Sequence, residues 1–345
     1  MVEWKKLGDL CEIKTGKLNA NAQVENGKYP FFTCDASPFK IDEYAFDTEA
    51  IIISGNGSQV GHLNYYKGKF NAYQRTYVLD KFRNVDIFYI LHYMKGTIRP
   101  YVMDKSKKGS VPYITLPMLT EFKLPFPSLS EQRRIVEQLD TFTASIDNLK
   151  EQIAQRRKQY EYYRDELLDL EGKEGVEMKI EDFCQLKAGK SIKTEDILVE
   201  NNGCDYPCYG GNGIRGYVHF YSHDGEFPII GRQGALCGCV NWAIGKFYAT
   251  EHAVVAKGNN KVCQRFLLHL FQHANLNQYK TQGAQPGLSV AKLNEISFVI
   301  PSLQEQQRIV SILDTFEASI QNLEAQLAQR EKQYEYYRNI LLSFE

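Results

Sequence analysis

A stretch of 42 residues occurs twice in this chain, and its periodicity admits little except a long helix. "PSLSEQRRIVEQLDTFTASIDNLKEQIAQRRKQYEYYRDELL" starts at Pro127 and "PSLQEQQRIVSILDTFEASIQNLEAQLAQREKQYEYYRNILL" at Pro301, with 30 of 42 positions identical and no gap. Neither copy has a Pro or Gly after its first residue. The first copy carries Ile135, Leu139, Phe142, Ile146, Leu149, Ile153, Arg156, Tyr160, Tyr163 and Leu167 at alternating steps of four and three. The second carries Ile309, Leu313, Phe316, Ile320, Leu323, Leu327, Arg330, Tyr334, Tyr337 and Leu341 at the same steps. That is the a/d seam of a coiled coil. The arginine in each stripe either fixes register or packs its stem while its head reaches water. Ser128 with Glu131, and Ser302 with Glu305, read as capping boxes, and Gly172 as a stop signal.

Each helix of about 40 residues is about 60 Å long at 1.5 Å per residue. The intervening stretch of about 125 residues, if compact, has a radius of gyration near 14 Å. Such a globule cannot return the chain over the length of a helix, so the second copy is expected to run antiparallel to the first. The resulting expectation is an α+β protein with a pseudo-twofold internal repeat: two β-rich domains separated by a long antiparallel two-helix coiled coil. Its segments are residues 1–126, 127–171, 172–300 and 301–345.

The two globular segments are themselves diverged repeats. "LGDLCEIKTGK" at 7–17 parallels "IEDFCQLKAGK" at 180–190, and "IIISGNGSQVG" at 51–61 parallels "PIIGRQGALCG" at 228–238. "YP" and "GKF" recur as well. Short alternating runs predict strands and turns, with helices in "VDIFYILHYMKGTI" and "VCQRFLLHLFQHANL". The helices kept even their polar positions, among them Asp140/Asp314, Asn148/Asn322, Lys158/Lys332, Glu161/Glu335 and Arg164/Arg338. Hence the helices are expected to meet like partners and the globules unlike ones.

Charge supports a division of labour. Residues 1–126 hold 17 Lys+Arg against 13 Asp+Glu, and residues 173–298 hold 13 against 12. Residues 127–172 hold 7 against 10, and residues 299–345 hold 4 against 7. Positive charge therefore sits in the globules. No apolar run approaches the ~18 residues of a membrane span, and "MVEWKKLGDLCEIKTG" has no signal-peptide core, so a cytoplasmic location is expected. The eight cysteines form no CxxC pair and read as reduced thiols. No metal site is expected. "GNG" at 55–57 lacks the rest of a dinucleotide loop, and "AGKS" at 188–191 lacks the first glycine of a P-loop. Asn-Pro-Pro-aromatic, H-E-x-x-H and G-x-S-x-G are absent from the sequence. The balance favours a binding protein with no catalytic residues.

The order of globule, long helix, different globule and near-identical helix resembles the specificity (S) subunit of type I restriction–modification systems. The entries "LPFPSLSEQRRIVEQLD" and "FVIPSLQEQQRIVSILD", together with "LGDLCEIKTGK", carry that resemblance over essentially the whole chain. It implies that each globule is a target recognition domain reading one half of a split double-stranded DNA site. The helices would form the spacer and dock two methyltransferase (M) subunits, which would carry S-adenosylmethionine and methylate adenine N6. Restriction (R) subunits, with ATP and Mg2+, would join through them. This chain would bind no cofactor and perform no chemistry.

Phosphate contacts need Lys or Arg, and base edges suit Arg, Lys, Asn and Gln. The candidates are Asn56, Gln59, Gln74, Arg75, Lys105, Lys107 and Lys108 in the first globule. In the second they are Asn212, Arg215, Arg232, Gln233, Gln282 and Gln285. His252 reads as structural. The alternative function is a non-catalytic coiled-coil scaffold or adaptor without specific DNA binding.

Overall fold

The computed structural model describes residues 2–106, 111–203, 205–234, 236–281 and 286–344. The chain forms two compact units, Met1–Glu151 with Glu324–Glu345, and Gln152–Leu323. Neither long helix is a unit by itself; each is divided between the two. Among the described residues no helix is long and apolar enough to cross a membrane.

The first unit contains β1 (Glu3–Lys6), α1 (Leu7–Leu10), β2 (Glu12–Thr15), β3 (Tyr29–Phe32), β4 (Phe39–Ile41), β5 (Phe46–Ser54), β6 (Leu63–Ala72) and β7 (Thr76–Asp80). Then follow α2 (Ile87–Lys105), α3 (Leu116–Thr120), β8 (Lys123–Phe126) and the start of α4 (Leu129–Leu168). Six strands make one sheet in the order β2-β7-β5-β6-β3-β4, and β1 pairs separately with β8. Only β3 and β6 run parallel among the sheet's neighbours. The end of β5 is buried on both faces, which is why "AIII" at 50–53 is an unbroken apolar run. Ile51 and Ile53 face α2 and its Tyr89, Ile90, Met94 and Ile98. Ala50 and Ile52 face Phe32, Phe70 and Val78 on the other side. Asp86 caps α2 by accepting from the N–H groups of Phe88 and Tyr89 at 2.9 and 3.3 Å.

The second unit repeats this plan. It holds β9 (Val176–Lys179), α5 (Ile180–Phe183), β10 (Cys184–Ala188), β11 (Tyr206–Gly210), β12 (Gly213–Val218), β13 (His223–Gly231), β14 (Val240–Ala249) and β15 (Ala253–Gly258). Then come α6 (Gln264–His273), α7 (Val290–Asn294), β16 (Ser297–Ile300) and α8 (Leu303–Leu341), whose last part belongs to the first unit. The sheet order is β10-β15-β13-β14-β11-β12, with β9 paired to β16. Again the parallel neighbours are a single pair, β11 and β14.

The helices pack antiparallel within each unit. In the first, Phe142 near the start of α4 stacks on Tyr337 near the end of α8, centroids 5.2 Å apart at 23°. In the second, Phe316 near the start of α8 stacks on Tyr163 near the end of α4, at 5.3 Å and 26°. Every seam residue is buried or half-buried except Tyr163 and Tyr337, which are exposed at their edges yet stacked. The seam arginines lie over aromatic rings of the other helix. Arg156 is 5.7 Å from the Phe316 centroid and Arg330 is 5.9 Å from that of Phe142. Both are half-buried cation–π contacts.

The capping boxes form only by half. Ser128 and Ser302 accept from the N–H groups of Glu131 and Glu305, each at 3.3 Å. The glutamates do not reach back; they take bidentate pairs from Arg134 and Arg308 at 2.7–2.9 Å. The arginine fork gives each carboxylate two parallel charge-assisted bonds, where reaching back to the cap N–H would give one. The described cysteines are all free thiols.

Candidate nucleic-acid interface

In the first unit, β5 ends at Ser54 and the chain turns through residues 55–61 into β6. The turn is closed by the Gly61 N–H on the Ser54 carbonyl at 2.9 Å, with Gly57 at φ +82°. The Gly55 N–H donates to the Arg75 carbonyl at 2.9 Å, and the Ile114 N–H to the Gly55 carbonyl at 2.7 Å. Asn56 bridges Tyr113. The Gln74 side chain donates to Asn19 Oδ1 at 3.0 Å. Asn56, Gln59, Gln74 and Arg75 therefore share one corner of the sheet, beside an exposed Tyr113. Lys105 is exposed at the end of α2, on a different element. Lys107 and Lys108 lie outside the described residues.

The second unit builds the same corner from different side chains, 177 positions later (55 to 232, 75 to 252). The Gly238 N–H closes the turn on Gly231 at 2.7 Å, and Gly234 has φ +90°. The Arg232 N–H donates to the His252 carbonyl at 2.9 Å, and the Leu288 N–H to the Arg232 carbonyl at 2.8 Å. Gln233 bridges Gly287, as Asn56 bridges Tyr113. Gly211 abuts the carbonyl oxygens of Gln233 and His252, which brings Asn212, in the β11–β12 turn, to the same corner. Arg215 is exposed further along β12, donating to Thr194 Oγ1 at 3.2 Å. Gln282 and Gln285 lie outside the described residues.

Sequence reasoning missed Tyr113, and it missed that His252 occupies the place of Arg75. The signal for His252 was the 177-residue shift itself. For Tyr113 no local motif existed, because only the bridge to Asn56 brings it there.

Matched polar residues fasten each sheet-and-helix layer to a long helix. Gln132 and Gln306 are fully buried. Each accepts from a backbone N–H at the head of the globule's helix, Asp86 or Cys263, at 2.9 Å. Each donates to the Pro carbonyl that precedes its own helix, at 2.9 Å. His92 of α2 and His269 of α6 set Nε2 2.8 Å from Asp140 and Asp314. Burial, the largest cause, pushes both imidazoles below their ordinary range, against the pull of the carboxylates. A neutral ring donates from Nε2 to the aspartate, and His92 Nδ1 then accepts from Tyr334, 2.9 Å away. Burial raises the Tyr334 phenol to about 12.

The second joint differs in charge. Arg265 pairs with Asp314 at 2.8 Å and with Glu317 at 2.5 Å. His269, Asp314 and Glu317 have metal-like spacing, but Arg265 already supplies the positive charge between the two carboxylates.

So part of the polar identity between the helices is internal. Asp140 and Asp314 hold their own globules, and Arg164 and Arg338 lie over Tyr160 and Tyr334 of the preceding turn. Lys158/Lys332, Glu161/Glu335 and Tyr162/Tyr336 are exposed in both copies.

Two similar sheets, each with a polar loop corner, and a pair of repeated helices define a protein with two recognition units. The family model for the type I restriction modification DNA specificity domain matches residues 1–156 and again 173–331, and the chain belongs to that family. It is a non-catalytic specificity subunit, recognising DNA sequence within a type I restriction–modification complex. Among its relatives is the type I restriction enzyme EcoprrI specificity subunit of Escherichia coli, 33% identical over 92% of this chain and 88% of that one. A putative type I specificity subunit of Mycoplasma pneumoniae is 27% identical over 98% and 97%. The crystal structure of the type I S subunit from M. genitalium shares the fold, with TM-score 0.69 and 19% identity over 100% of this chain and 97% of that one.

Proposed function

We propose that each unit reads one half of an asymmetric, bipartite site on double-stranded DNA. The first reads through the corner of Asn56, Gln59, Gln74 and Arg75, with Lys105, Lys107 and Lys108 on phosphates. The second reads through Asn212, Arg232 and Gln233, with Arg215, Gln282 and Gln285 as further candidates for its contacts. The carrying observation is that the two corners share their backbone hydrogen bonds and differ in their exposed side chains. A common frame with exchangeable polar tips suits unlike half-sites, because base edges are told apart by donor and acceptor pattern.

The helices, by contrast, repeat their exposed residues. Each carries a Tyr-Tyr step, Tyr162–Tyr163 and Tyr336–Tyr337, at 5.3 and 5.4 Å. Duplicate faces suit two copies of one partner, and exposed tyrosines are preferred interface anchors. On this reading the helices set the spacing of the half-sites and dock two M subunits. Those bring S-adenosylmethionine for adenine-N6 methylation, and R subunits with ATP and Mg2+ join through them. Co-expression with the partner M subunit, followed by single-molecule sequencing of methylated adenines, tests this. A bipartite motif is expected; a contiguous motif, or none, would refute it.

A further inference from the structure

The corners of the two units differ at one place more than at any other. In the first, a Cβ on Gly55 would lie 2.2 Å from the Arg75 carbonyl oxygen, so no side chain fits there. In the second, the tight approach has moved one residue back. A Cβ on Gly231 would lie 1.9 Å from the Gly211 carbonyl oxygen, and Arg232 takes the position of Gly55. The second unit thus presents a guanidinium from the rigid heart of the loop, where the first presents nothing.

That guanidinium is not satisfied by the fold. Arg232 is half-buried, its Nε is buried, and among the described residues no acceptor reaches it. Next in the chain to the carbonyl that accepts from the Arg232 N–H, the Glu251 and His252 side chains pair with each other, Oε1 to Nε2 at 3.4 Å. Buried polar atoms are nearly always paired, so an arginine whose buried Nε has no acceptor marks a group that the fold itself does not satisfy. A nucleobase edge fits the fork, which can donate to guanine O6 and N7 together.

We infer that Arg232 is a specificity-determining residue, donating to a guanine of the half-site read by the second unit. The inference rests on the bipartite reading above. The test uses the assembled complex and first establishes the motif by methylation mapping. Absence of a bipartite motif would defeat that reading rather than this assignment.

Binding is then measured to duplexes carrying 7-deazaguanine, which lacks the N7 acceptor, at each guanine in turn. For the native chain, one guanine of one half-site is expected to be sensitive, with a loss of about tenfold. The Arg232→Ala complex should have lost that sensitivity. It should also discriminate that base pair about ten- to a hundredfold less well, with the other half-site unchanged. If Arg232→Ala does not assemble, Arg232→Lys, with one donor end in place of a fork, serves the same comparison. The assignment is overturned if no guanine is sensitive in the native complex, or if the sensitivity survives the substitution.

Discussion

Gln132 and Gln306 are polar side chains with no exposed surface, each bonded through both ends of its amide. They act as pins, because cutting either bond leaves a buried group unsatisfied at about 1–3 kcal/mol. The His–Asp pairs behave alike. Asp140→Ala strips the buried His92 of its acceptor and is expected to destabilise the first unit by about 1–3 kcal/mol, read as a drop in urea midpoint. These pairs also give stability a pH dependence. His92 and His269 resist protonation in the fold, whereas an unfolded histidine takes up a proton near pH 6.5. The unfolded state therefore binds more protons as pH falls. Stability from this source is complete above about pH 6.5 and declines as pH falls toward the folded values. Urea midpoints at pH 7.5 and 5.5 should show the decline, and the double variant His92→Gln, His269→Gln should flatten it. At the candidate interface, Lys105→Ala should weaken binding similarly across sequences and reduce the salt slope by about one. An unchanged slope would remove Lys105 from the phosphate contacts.

At the scale of elements, the long helices do two jobs along one surface. Their inner stripe joins each unit's core through Ile135 and Leu139, or Ile309 and Leu313. The aromatic steps continue outward, with Arg330, Phe142, Tyr337 and Tyr336 in contact one after another in the first unit. Arg156, Phe316, Tyr163 and Tyr162 repeat the series in the second. Tyr162 and Tyr336 are 64% and 62% exposed, so removing either should change stability by less than about 0.5 kcal/mol. If they anchor M subunits, Tyr336→Ala should lower the number bound from two to one, and the double variant should abolish binding. Light scattering of the assembled complex reads this, and two M subunits bound to the double variant would rule the anchor out. Phe142→Ala removes the middle of a stack, worth about 0.5–1.5 kcal/mol beyond its buried area, and should lower the melting temperature.

At the scale of the molecule, the chain is one plan executed twice, with sheet order, the lone parallel pair and the loop corners all repeated. An exchange of residues 206–288 for the matching globule of another family member should therefore replace one half of the methylated motif and leave the other half intact. Sequencing of the methylated genome measures that outcome. Much of this plan is legible in the residues. Helix periodicity is a local property, so the seam could be written down position by position, and the "GNGSQVG" and "GRQGALCG" turns announce themselves by their glycines. The antiparallel sense followed from chain length alone. What the sequence could not disclose were meetings between residues far apart. Nothing local says that His92 seeks Asp140 or that Tyr113 stands beside Asn56. Periodicity and turn chemistry act over a few residues, and so a single chain determines them. Which polar groups end up buried, and which are left without a partner, depends on where the backbone brings distant segments together, and only tertiary structure decides that.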